Sequence, residues 1–100
     1  MTTETTSDFA NLVDRTEAAV DKFHERAEGL REEIGEAKAA AKVKYKAMIA
    51  RLDNKHTQAK TRLEELKKEG EGSLDKLDAL HNKLVSELSD MKRTIDRRLR

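Results

Sequence analysis

The stretch LREEIGEAKAAAKVKYKAMIARLDNKHTQAKTRLEELKKEGEGSL, Leu30 to Leu74, decides the fold. Leu30, Ala41, Leu52, Leu63 and Leu74 stand eleven residues apart, and Phe23, Ile34, Tyr45 and His56 run beside them at the same spacing. Eleven residues at about 3.6 per turn return the chain to almost the same azimuth, so both rows form one stripe on a helix. Such a stripe leaves water only by packing on another helix, of its own chain or of a copy.

Working outward, the apolar positions continue at gaps of three and four: Phe9, Leu12, Thr16, Ala19, Phe23, Ala27, Leu30, Ile34, Ala37, Ala41, Tyr45, Met48, Leu52, His56, Ala59, Leu63 and Leu66. This is helical periodicity and never strand-like. Paired gaps of four around Phe23, Ala41 and Leu52 relax a left-handed supercoil and predict a nearly straight helix. Residues 1–6 read as a disordered, threonine-rich N-terminus, with Thr6 or Ser7 as the cap. Gly29 and Gly35 cost roughly 1 kcal/mol each in a helix interior, yet the stripe keeps phase across them. The expected first helix therefore spans 7–69.

A break is expected at 70–73. Lys67 and Lys68 suit a helix C-terminus, Gly70 suits a left-handed C-terminal residue, and Ser73 suits an N-cap. Against it, Leu66, Leu77, Leu88 and Leu99 keep an eleven-residue spacing straight across the glycines, as an unbroken rod would. A second amphipathic helix follows over 74–99, with Leu74, Leu77, His81, Leu84, Leu88, Met91 and Ile95 as a heptad seam. Leu80, Val85 and Leu99 widen it toward a further neighbour.

The fold class expected is all-α, a single domain. A long helix and a shorter one form a helical hairpin, in a coiled coil or an antiparallel dimeric four-helix bundle. A 62-residue helix would be about 93 Å long and the second about 40 Å, so folding back at Gly70–Gly72 reaches only to about residue 43. The stripe from Phe9 to Ala41 then lacks an intramolecular partner, which points to a homo-oligomer, most simply a dimer. Its self-association residues would be Phe23, Leu30, Ile34, Ala41, Tyr45, Met48, Leu52, Leu63, Leu66, Leu77, Leu84 and Leu88. The competing arrangement is a three-helix monomer bent near Gly29–Gly35.

Composition fits long helices. Charged residues make up 41% and apolar ones 36% of 100 residues, with no proline, cysteine or tryptophan. Without cysteine there is no disulfide and no thiolate metal site, which suits a reducing cytoplasm. The N-terminus has neither the basic nor the apolar region of a signal peptide, and no apolar run is long enough to span a membrane. The net charge of +1 hides four alternating blocks. Residues 1–36 carry ten acidic and four basic side chains, residues 37–68 three and ten, residues 69–90 six and two, and residues 91–100 one and five. Such blocks suit association in a preferred register.

The run Ala37-Lys38-Ala39-Ala40-Ala41-Lys42-Val43-Lys44-Tyr45, with Ile49, Leu52, Lys55, Ala59, Leu63, Glu65, Leu66, Lys67 and Gly70, resembles short bacterial coiled-coil proteins of the stress-response or uncharacterised type. The resemblance covers about residues 17–95 and departs from that family where tryptophan often follows the glycine break and leucines stand here. It implies a helical protein linked to stress tolerance and carries over no catalytic residue.

Candidate sites are few. Each histidine follows an aspartate by three residues, as Asp21–His24, Asp53–His56 and Asp78–His81. That spacing shares a helix face and is the way carboxylate-bridged metal bundles present ligands. With the fold-back near residue 71, His56 faces about Glu87 and His81 about Arg62, so Asp53, His56, Asp78 and His81 are weak metal candidates and no metal or other cofactor is expected. The basic stretch 38–62 would give at most a weak nucleic-acid binder, since the chain is near neutral and Tyr45 lies on the stripe. An amphipathic coat on a lipid or polymer granule is the alternative function, weakened by the small Ala37, Ala41 and Ala59 at the middle of the stripe. The function expected is non-enzymatic, with a structural or interaction role.

Overall fold

In a computed structural model, the backbone is described from residue 2 to 99 and the side chains from residue 8 to 99. Three helices follow one another, α1 (Thr2–Ile34), α2 (Ala39–Glu69) and α3 (Leu74–Leu99), with a single 3₁₀ turn at Gly70–Ser73 joining the last two. No strand occurs among the described residues. The first helix starts at Thr2, earlier than the expected cap at Thr6 or Ser7. Met1, and the side chains of the expected caps Thr6 and Ser7, lie outside what is described.

The expected helix over 7–69 is two helices. After Ile34 the chain tightens through Glu36 N–H to Glu33 O at 3.0 Å and Ala37 N–H to Ile34 O at 3.2 Å. Lys38 is then extended at φ −68°, ψ 155°, and α2 begins with Lys42 N–H to Lys38 O at 2.9 Å. Locally the break is cheap, because Gly35 is a poor helix former and few helical bonds are lost. Globally it lets α1 fold back along α2, so the apolar stripe that lacked an intramolecular partner gains one. Burial of that stripe outweighs the lost turn, and the molecule is 57 Å long by 20 × 16 Å.

One core runs the length of the bundle. Val13, Thr16, Ala19, Val20, Phe23, Ala27 and Leu30 enter it from α1, Tyr45, Met48, Leu52, Ala59, Leu63 and Leu66 from α2, and Leu77, Leu84, Leu88, Met91 and Ile95 from α3. The buried face of α1 is broader than the sequence stripe, since Val13 and Val20 are buried as well, and α1 packs against both other helices. Thr16 is wholly buried, and its hydroxyl donates to the Leu12 carbonyl one turn back at 2.7 Å. That bond removes the penalty of an unpaired hydroxyl in the core.

The turn between α2 and α3 is built as its residues suggest. Gly70 has φ +76° and its N–H bonds Leu66 O, the left-handed ending that glycine permits. Ser73, expected to cap α3, faces the other way. Its buried hydroxyl lies 2.9 Å from Leu66 O and 2.7 Å from Gly70 O, so it satisfies the C-terminal carbonyls of α2. Leu66 and Leu77, both fully buried, close the apolar side of the turn.

Candidate functional site

The residues expected to bind a second chain lie inside this one. Phe23, Leu30, Tyr45, Met48, Leu52, Leu63, Leu66, Leu77, Leu84 and Leu88 are buried in the common core, and Ile34 and Ala41 are half-buried against it. Val43 and Val85 are the large apolar side chains left exposed among the described residues. The molecule's outer features are therefore polar and charged.

The charge blocks match up within the chain. Acidic α1 lies antiparallel to basic α2, and Lys67 Nζ on α2 meets Glu17 Oε1 on α1 at 3.1 Å. Glu17, helped by Glu64, raises the Lys67 ammonium above its ordinary value. Arg31 on α1 pairs with Asp53 on α2, and Lys55 on α2 pairs with Glu87 on α3. The last pair puts α3 beside α2 in the register expected from a fold-back near residue 71.

Exposed charge also differs between the two ends of the bundle. Where α1 and α3 finish and α2 starts, Lys38, Lys42, Lys44, Lys46, Arg97 and Arg98 are exposed, with Glu32, Glu36 and Asp96 at the same end, and Val43 is 71% accessible. At the opposite end Asp8, Glu69, Glu71, Asp75 and Asp78 are exposed, with Asp8, Asp75 and Asp78 around one shallow groove between α1 and α3. The first turn of α2 holds no acidic residue, so its lysines sit where the helix dipole is already positive.

The metal candidates are not brought together as the sequence suggested. Asp53 is held by Arg31, Asp78 lies at the acidic end, and His81 sits in the groove between α1 and α3 near Arg15 and Lys22. His56 turns toward α1, where its ring meets that of His24 with centroids 5.4 Å apart. Sequence reasoning missed this pair because it follows from the turn at residues 35–38. Among the described residues no three His, Cys, Asp or Glu side chains converge to hold a metal ion. No helix among them is long and apolar enough to cross a membrane.

Comparison with family models, with curated proteins and with solved structures finds no match to this chain. Functional inference therefore rests on the chain's own chemistry.

Proposed function

We propose that the chain is a non-enzymatic interaction protein that self-associates end to end, the basic end of one bundle against the acidic end of the next. The observation behind it is the unequal exposed charge along the long axis, with Lys38, Lys42, Lys44 and Lys46 beside Glu36 at one end and Asp8, Asp75 and Asp78 lining a groove with Arg15 at the other. Opposed ends make a head-to-tail contact, which propagates as a chain of bundles instead of closing as a symmetric dimer. End faces of 20 × 16 Å, counted on both partners, supply about half of the roughly 1,200 Å² buried in a stable interface, so the association is weak and reversible. This replaces association through the leucine stripe. The cytoplasmic setting and the stress-related role implied by the family resemblance belong to the same reading.

Sedimentation velocity at low and high salt tests it. Self-association should appear at low ionic strength and vanish at 0.5 M salt, where the Debye length is only about 4 Å. Lys42→Glu together with Lys44→Glu should abolish it, and a mass of 11.4 kDa at every salt concentration would refute it. Nucleic acid is the competing occupant of the basic end. Salt-sensitive retardation of DNA by a protein that does not self-associate would favour that reading.

A further inference from the structure

We propose that His24 and His56 form a two-histidine site for a borderline transition-metal ion such as Zn²⁺, Ni²⁺ or Cu²⁺, clamping α1 to α2. The pair lies on the flank of the bundle, away from the charged ends. His24 is exposed on α1 and His56 half-buried on α2, and their ring centroids stand 5.4 Å apart with planes tilted by 42°. Two imidazoles on a tetrahedral ion with metal–nitrogen bonds of about 2.05 Å place each centroid about 3.2 Å from the metal, hence the centroids about 5.2 Å apart. The helices already hold the rings at that separation, so binding needs rotation of side chains and no movement of backbone.

The surroundings favour a cation. Glu28 Oε1 lies 3.9 Å from His24 Nε2, and Asp21 lines the same recess as His56, together with Glu17 and Glu64. The facing cations are Lys60, in that recess, Lys67, which Glu17 holds, and Arg31, which bonds the same Glu28 oxygen at 2.7 Å. Because no third protein ligand converges with these two, water completes the coordination sphere. Imidazole nitrogens select zinc, nickel and copper over magnesium and calcium, which want oxygen. The metal's effect is structural. It binds the folded chain, where the two rings meet, and not the unfolded chain, where they are far apart.

The test uses tag-free, chelator-stripped protein titrated with Ni²⁺ or Zn²⁺ while thermal unfolding is followed by circular dichroism. At ten times the dissociation constant the melting temperature should rise by about 5–10 °C, with no rise in Mg²⁺. Calorimetry should count one ion per chain. The rise should disappear in His24→Gln and in His56→Gln and persist in His81→Gln. If His56→Gln lowers the metal-free melting temperature, His24→Gln, at an exposed position, decides alone. An absent rise, a rise that survives His24→Gln, or one lost equally in His81→Gln would overturn the site and leave the ring pair as an aromatic contact only.

Discussion

Two glycines in this chain should respond to alanine with opposite signs, and the geometry says which is which. Gly29 lies inside α1, and a Cβ built on it meets nothing within 4 Å. Alanine there removes the helix penalty of glycine, about 0.8–1.0 kcal/mol, without a clash. Gly70 also has open space around a Cβ, but its backbone sits at φ +76°, ψ −155°. That region is essentially closed to other residues, and forcing alanine into it costs about 1–3 kcal/mol. For a domain of this size 1 kcal/mol moves the melting temperature by roughly 4–8 °C. Gly29→Ala should therefore melt about 3–8 °C higher than wild type, and Gly70→Ala about 4–24 °C lower, in paired calorimetric scans. A helix running unbroken through Gly70–Gly72, as the Leu66–Leu77–Leu88–Leu99 spacing allows, would gain stability from both substitutions. A higher melting temperature for Gly70→Ala would refute the turn and with it the fold-back of α3.

Leu52→Ala empties a fully buried position of α2 and should cost about 2–5 kcal/mol in urea unfolding, with the larger values following if the cavity cannot collapse. Ser73→Ala removes the hydroxyl that serves the Leu66 and Gly70 carbonyls, and should lower stability by about 1–2 kcal/mol in the same assay. Lys67 titrates above its ordinary value because Glu17 holds its charged form, so its contribution is full below the unfolded lysine value of about 10.4 and is lost as pH rises through the folded one. The stability difference between wild type and Lys67→Gln should accordingly shrink as pH rises above about 10.4, and a constant difference would contradict the Glu17 contact.

Local patterning disclosed much of this structure. The three-and-four spacing from Phe9 to Leu66 is helix on both sides of Lys38, Gly70 does take the positive φ, and the register that set His56 near Glu87 is seen as the Lys55–Glu87 pair. The turn at residues 35–38 entered the sequence reading only as the competing three-helix bend near Gly29–Gly35, because little marks it locally. Ile34, Ala37 and Ala41 keep helical phase through it, no proline marks it, and Lys38 stands at the N-cap of α2 with no side-chain cap bond. Its cause is non-local. A straight helix would leave Phe23 and Leu30 in water, and tertiary burial overrides the propensity of the alanine-rich run. The acidic balance of residues 1–36 against the basic balance of 37–68 was the available signal, since adjacent antiparallel helices bring those blocks together. The His24–His56 contact is hidden for the same reason, because it exists only once α1 and α2 lie side by side.

Small-angle X-ray scattering in 0.5 M salt, where end-to-end contacts are screened, tests the fold-back of α1 on α2 most directly. A single chain with a radius of gyration near the 16.2 Å of the bundle's Cα atoms, and a largest dimension close to its 57 Å, is the expected result. A particle with a largest dimension of about 90 Å and a radius of gyration of about 27 Å or more would mean that residues 7–69 form the straight helix after all.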